Sequence, residues 1–471
     1  MSRLLVVAAA ALLLCVAGVS AGELGVPPLP SGLAGSSRAA DLPAQVAVPQ
    51  RSAKATPCTG YARQDNCVGN PPLAPGPLPS CAGFSGPLPA NTTAFAVIGD
   101  YGLDGQCMAQ VAALTLKLQQ QFGEFAFIMT LGDNGYWTGT CQAYNTGVGK
   151  YYASFLPGGV APSHCTDPSK KKNRILTELM ASNAHLRDKR AFEEHQALVL
   201  QQQARIGLGP AVHAATEERT NRLLEELLLN ATAIGKARGM AAAPRFYPSL
   251  GNHDWTTYGN VQHTMPYFQY FGYLASLPPA SMASGQFYQV MSPIPGVELF
   301  SINSNLGNPS SSPSDRALHL RMVAWLEGAV RNSSAPFKLV YFHHPPFSTA
   351  EHDALSPWMD LDYEGWGVSM VLVGHEHTYE RFIVSRDGGK TNMPYILNGL
   401  GGHPWTYQIE GCPAAKGSQF RYNKFHGMQL AIHSFDEKLQ KEKIDFCFYT
   451  LEDGGKLVDS VELQAGPGKQ Q

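Results

Sequence analysis

The sequence is short of charge. Only 15% of its 471 residues are Asp, Glu, Lys or Arg, and 35 basic against 37 acidic side chains leave a formal net charge of −2. So balanced a chain has no broad electrostatic footprint for nucleic acid or an anionic membrane, and any phosphate it holds must be gripped locally. Long apolar runs are scarce as well. Beyond the N-terminal region none approaches the ~18 residues a spanning helix needs, so stable membrane insertion is not expected. There are nine cysteines, none in the CxxC spacing of a zinc ribbon.

The apolar residues, 44% of the chain with 47 Gly and 34 Pro, suffice for one large core with decorations or two modest ones. At the N-terminus Arg3 precedes an apolar run from Leu4 to Val16, and Val19 and Ala21 follow at the spacing a signal peptidase favours. Residues 1–21 therefore read as a secretory signal, with an extracellular or vacuolar (lysosomal) destination. Setting aside Cys15, eight cysteines remain, an even number that suits disulfides in an oxidising compartment. Local pairing suggests Cys58 with Cys67, Cys141 with Cys165, and Cys412 with Cys447. Acceptor sequons at Asn91, Asn230 and Asn332 agree with export.

Residues 22–90 are rich in Pro, Gly, Ala and Ser and read as a linker, pinned by its cysteines. From residue 91 the pattern changes. AFAVIGD, FAFIMTLGD, RFYPSLGNHD, ELFSINSN, FKLVYFHHPP and VSMVLVGHEH are each a short apolar run ending in a polar loop, and QVAALTLKLQQQF is helix-compatible. Such strands with helices between them predict an α/β fold, with polar residues just past the strands' C-terminal ends, where open α/β sheets hold ligands. Residues 166–243 break the rhythm with two amphipathic stretches, read as an inserted helical hairpin. Past residue 394, PYILNGLGG, HGMQLAIHSF and KIDFCFYTL predict antiparallel strands that close a domain spanning 91–464, with 465–471 as a tail.

Five strand ends carry chemistry: Gly99-Asp100-Tyr101-Gly102, Gly132-Asp133-Asn134-Gly135-Tyr136, Gly251-Asn252-His253-Asp254, Val340-Tyr341-Phe342-His343 and Gly374-His375-Glu376-His377. Taken alone, a Gly-Asp pair after a strand is ordinarily a turn. Together they offer two Asp, one Asn, one Tyr and three His, and carboxylate with imidazole suits Fe, Mn or Zn better than Ca or Mg. In an extended His-x-His both imidazoles share a side, so Glu376 is expected to point away, toward the surface or an outer shell. By the same alternation His344 is expected to turn away from His343 and be structural. Asp254 is expected to orient a histidine.

These motifs resemble the five-block signature of the calcineurin-like metallophosphoesterases, and the tyrosine three residues after Asp133 resembles that of purple acid phosphatases, including the tartrate-resistant type. The resemblance covers roughly residues 94–464 apart from the insertion. It implies a β-sandwich of two mixed sheets flanked by helices, an α/β fold, and a dinuclear centre of Fe(III) plus a divalent Fe, Zn or Mn. Asp100, Asp133, Tyr136 and His377 would hold iron; Asp133 as bridge, Asn252, His343 and His375 would hold the divalent ion. The implied activity is hydrolysis of small phosphate monoesters by a metal-bound hydroxide. A phenol ionises near pH ~10, so a phenolate in acid calls for a cation as acidic as ferric iron. Imidazoles titrate near ~6.5 and can protonate a leaving group in mild acid, which makes His253 and His352 the candidate acids. His352 lies nine positions beyond His343, as in the small animal-type enzymes, but Asp353 stands where some relatives have a second histidine. The five motifs do not separate this activity from hydrolysis of phosphodiesters or nucleotides. A secreted binding protein on a dead scaffold is the other class, against which all seven ligand positions are filled.

Overall fold

The computed structural model describes residues 61–63, 67, 70, 72–165, 244–255, 266–279, 285–308, 311–350, 355–386 and 392–465. The expected signal segment, the insertion 166–243, most of 22–90 and nearly all of the tail lie outside them, as do Cys58, Asn230 and His352.

Two mixed sheets form the frame. A short ladder pairs β1 (Tyr61–Arg63) with β11 (Thr406–Tyr407). One sheet holds β2 (Thr93–Ile98), β3 (Ile128–Thr130), β4 (Phe246–Pro248), β13 (Gly427–Asp436), β14 (Lys441–Thr450) and β15 (Lys456–Gln464), in the order β15-β14-β13-β2-β3-β4. The other holds β5 (Tyr288–Ile294), β6 (Val297–Ser301), β7 (Phe337–Tyr341), β8 (Met370–Val373), β9 (Tyr379–Val384), β10 (Met393–Asn398) and β12 (Ser418–Tyr422), ordered β12-β9-β10-β8-β7-β6-β5. Strands β2, β3 and β4 run parallel, as do β6, β7, β8 and β10, while the antiparallel pairs lie toward the edges. The apolar runs identified in the sequence are these strands.

The two-residue period of a strand assigns its side chains to two layers. On β7, Phe337, Leu339 and Tyr341 join a core shared by both sheets, whereas Val340 joins a second cluster with Leu318, Met322 and Leu326. Those three belong to helix α2 (Pro313–Asn332), which starts where Ser312 accepts a hydrogen bond from the Asp315 N–H and proline takes the first turn. β8 divides likewise, Met370 and Leu372 to one side, Val371 and Val373 to the other. Helix α1 (Gln106–Phe122) joins the shared core through Met108, Val111, Leu114 and Leu118 and ends at Gly123, whose φ of 107° favours glycine.

The disulfides correct two of the three expected pairings. Cys141 does bond Cys165, but Cys67 bonds Cys107 at the start of α1, and Cys447 on β14 bonds Cys81. Cys412 is disulfide-bonded as well. Two crosslinks thus tie the proline-rich approach to α1 and to β14, and Leu78 and Cys81 are buried there. Among the described residues no helix is long and apolar enough to cross a membrane.

Candidate metal centre

The parallel strands of both sheets end at one place. From the six-stranded sheet come Asp100 after β2, Asp133 and Tyr136 after β3, and Asn252 after β4; from the seven-stranded sheet come His343 after β7 and His375 and His377 after β8. All are buried except half-buried Asn252. The approach is so close that two flanking positions have no room for a side chain. A Cβ on Gly251 would lie 2.0 Å from Asp133 Oδ1, and one on Gly132, where φ is +96°, 2.4 Å from His343 Nδ1.

The seven side chains form two adjoining groups. In one, Asn252 Oδ1 lies 2.8 Å from His343 Nε2 and 3.1 Å from His375 Nδ1; the two imidazole nitrogens are 3.2 Å apart, and His343 Nε2 is 3.3 Å from Asp133 Oδ1. In the other, Tyr136 Oη is 3.3 Å from both Asp100 Oδ1 and His377 Nε2, which are 3.5 Å from each other. Atoms from Asp100, Asp133 and His343 lie within 4.8 Å of one another and join the groups. Ligand atoms ~2.1 Å from one ion at right angles stand ~3.0 Å apart, so these spacings fit donors around a cation.

The electrostatics point the same way. His343 Nδ1 donates to the Leu131 carbonyl at 2.8 Å, which leaves Nε2 to face the oxygens of Asn252 and Asp133. A ligating histidine is ordinarily fixed through its other nitrogen in this way. Burial alone pushes the His343 imidazole down, but the Asp133 and Asp100 carboxylates outweigh it and raise its pKa to about 9. Burial likewise pushes Asp133 up, but His343, His253 and His375 hold it well below the usual carboxylate range. A proton on His343 thus occupies ground that a cation would take. Burial, then Asp133 and Asp100, push the Tyr136 phenol well above its usual range, so only a strongly acidic cation could ionise it.

Backbone strain collects here too. Asp100, Asp133 and His375 have φ of 56°, 53° and 74°. Left-handed backbone in non-glycine residues costs on the order of 1 kcal/mol each and persists only where the surroundings impose it. They do: the His375 N–H donates to Asp100 Oδ2 at 2.8 Å and the His253 N–H to Asp133 Oδ1 at 3.0 Å.

Of the two candidate acids, the buried His253 sits over the Tyr136 ring at 4.3 Å. Its Nδ1 donates to the Trp137 carbonyl at 2.8 Å, and its Nε2 lies 3.9 Å from Asp133 Oδ2. His352 is outside the described residues.

Two outer residues depart from expectation, and for a third the structure decides between two alternatives. Asp254 orients loops rather than a histidine: it accepts from the Gly251 N–H at 2.9 Å, Asn134 Nδ2 at 2.9 Å and Tyr144 Oη at 3.0 Å, while burial and then Asp133 raise its pKa to about 7. Glu376 is only 1% exposed, which excludes the surface alternative and leaves the outer-shell one. His344 does not turn away. β7 ends at Tyr341, strand alternation lapses with it, and the His344 ring lies 4.5 Å from that of His375.

His403 was missed altogether. It is buried after β10, 4.1 Å from the His377 ring and 4.7 Å from Tyr136. Burial, then His377 and His253, hold its pKa well below the imidazole range, so it stays neutral. Its only mark in the sequence is a polar residue just beyond the apolar run PYILNGLGG.

Residues 213–379 match the family model described as calcineurin-like phosphoesterase. That span holds the Asn252, His343, His375 and His377 motifs; Asp100, Asp133 and Tyr136 precede it. No curated protein sequence matches the chain. Among solved structures, GAP50, the anchor in the inner membrane complex of Plasmodium, is similar at 14% identity and a TM-score of 0.46, over 80% of this chain and 90% of that one. The purple acid phosphatase PPD1 from yellow lupin (Lupinus luteus) seeds is similar at 12% identity and a TM-score of 0.44, over 81% of this chain and 55% of that one. PhoD is similar at 10% identity and a TM-score of 0.38, over 82% and 72%.

Proposed function

We propose that this chain, which carries a calcineurin-like metallophosphoesterase domain, is an acid phosphatase of the purple acid phosphatase kind that hydrolyses phosphate monoesters at an Fe(III)–M(II) centre. The observation that carries the reading is the convergence of seven donors from two sheets at spacings of 2.8 to 3.5 Å. Asp100, Tyr136 and His377 would hold the ferric ion, Asn252, His343 and His375 would hold a divalent Fe, Zn or Mn, and Asp133 would serve both. Once bound, such a pair of cations supplies a nucleophile from water in acid and offsets charge on the phosphoryl oxygens.

The chain's own residues set the geometry. The His253 and His375 backbone N–H groups donate to the carboxylates of Asp133 and Asp100, which fixes the orientation of those side chains. The Trp137 carbonyl fixes the His253 ring with Nε2 inward, the nitrogen that would contact the ester and pass a proton to the leaving oxygen. His352 is the second candidate for that duty. A neutral His403 beside His377 adds no positive charge that would compete with the ions. Disulfides fit an oxidising compartment. Export, whether extracellular or vacuolar, is part of the proposal, and the sequons at Asn91 and Asn332 are exposed as glycan acceptors must be.

The test is turnover of the metal-loaded protein on a panel of phosphate monoesters, diesters and nucleotides in acid, with Asp133→Asn as the control. Monoester hydrolysis lost by at least ~10³-fold in the variant is expected, since both ions lose their shared ligand. Preference for diesters would shift the assignment to another phosphoesterase activity. Undiminished turnover in Asp133→Asn would end the two-ion reading.

A further inference from the structure

The strand-end segment ELFSINSN supplies none of the seven donors, yet it reaches the divalent side of the centre. After β6, Asn305 Nδ2 lies 3.4 Å from the Gly251 carbonyl, next to Asn252, and Ser304 meets His344 twice. The His344 N–H donates to Ser304 Oγ at 3.0 Å, and Ser304 Oγ lies 2.7 Å from His344 Nδ1. Ser304 is fully buried. Its hydroxyl oxygen already accepts from the backbone N–H, and the hydroxyl hydrogen has no acceptor besides His344 Nδ1 among the described contacts. A buried hydroxyl does not forgo its hydrogen bond, so Ser304 donates to Nδ1 and the proton of the neutral ring stands on Nε2.

That tautomer makes His344 a hydrogen-bond donor and not a metal ligand. The ring is half-buried, 4.5 Å from the His375 ring and 4.9 Å from that of His343, and one of its nitrogens lies within 4.8 Å of theirs. It stands on the divalent flank, while His253 covers Tyr136 on the ferric flank. We infer that His344, locked by Ser304, binds the phosphoryl group of the substrate on the divalent side by donating from Nε2 to a non-bridging oxygen. The inference rests on the dinuclear phosphatase reading and adds to it a phosphate contact and the residue that aims it.

Calorimetric titration of inorganic phosphate into the metal-loaded protein tests it, with metal content measured on every sample. A charge-assisted hydrogen bond to phosphate is worth at least tenfold in affinity, so His344→Ala should weaken phosphate binding by ~10-fold or more with both metals retained. His344→Gln, whose amide reaches near the Nε2 position, should recover most of that loss, and Ser304→Ala, which frees the ring, should lose ~3-fold. KM for a monoester should rise in parallel in each variant. Wild-type affinity in His344→Ala, or loss of one metal equivalent from it, overturns the inference. If His344→Ala does not fold, Ser304→Ala decides, and unchanged phosphate affinity there overturns it equally. Failure of the wild-type protein itself to bind phosphate when loaded would instead strike the phosphatase reading.

Discussion

Stripping the metals and raising the pH should weaken this protein by an amount the His343 environment sets. In the metal-free protein the His343 pKa is raised to about 9 against an ordinary imidazole value of 6.5. A group raised in this way stabilises the fold fully below 6.5, and that contribution fades as the pH climbs through 9. At about 1.36 kcal/mol per unit, the loss across the window is about 3 kcal/mol. Asp133, held well below the carboxylate range, stays ionised throughout and adds no slope there. Metal binding must expel the same proton, so Zn(II) affinity should rise by up to about tenfold per pH unit between pH 7 and 9 and be about 50-fold weaker at pH 7 than at pH 9. Denaturant titrations of chelator-treated wild type and His343→Asn between pH 6 and 9.5 measure the first effect as a difference of slopes. Zn(II) calorimetry in buffers of different ionisation enthalpy measures the second as protons released. Parallel slopes, or binding without proton release at pH 7, would refute the reasoning.

Tyr136→Phe should leave the fold intact and abolish the visible phenolate-to-iron absorption of the ferric protein; a surviving band with unchanged iron content removes Tyr136 from the ligand set. Gly251→Ala would thrust a methyl to 2.0 Å from Asp133 Oδ1, so metal binding should fail and turnover drop by ~100-fold or more, whereas Gly86→Ala, whose Cβ would meet nothing within 4 Å, serves as the silent control. Equal metal content in the two glycine variants would contradict the geometry.

What the sequence disclosed and what it hid follow from range. Asp100, Asp133, Asn252, His343, His375 and His377 all lie within a few residues of an apolar strand, so local patterning singles them out as strand-end polar residues, and the structure brings them together. Cys141 and Cys165, 24 residues apart, paired as proximity suggests, but Cys81 meets Cys447 across 366 residues, and only the strand order brings them together. Strand alternation puts His344 on the wrong side because β7 ends three residues earlier, at Tyr341. Asp254 beside a histidine in sequence suggests a carboxylate–histidine pair, but His253 turns its Nδ1 to the Trp137 carbonyl, and the carboxylate accepts from Asn134, Gly251 and Tyr144. His403 stands alone in a glycine-rich loop, and its approach to His377 depends on β10 lying beside β8, which no local pattern reveals.

One sheet contributes carboxylates, a phenol and an amide and the other only imidazoles, and each of the two groups of donors draws on both layers. Ions seated here would act as rivets through the two leaves of the sandwich, and part of their binding free energy would appear as cohesion between them. A chelator would then behave toward this molecule as a mild denaturant, prising the leaves apart at the rim where the donors meet while the rest, clasped by its own apolar packing, holds.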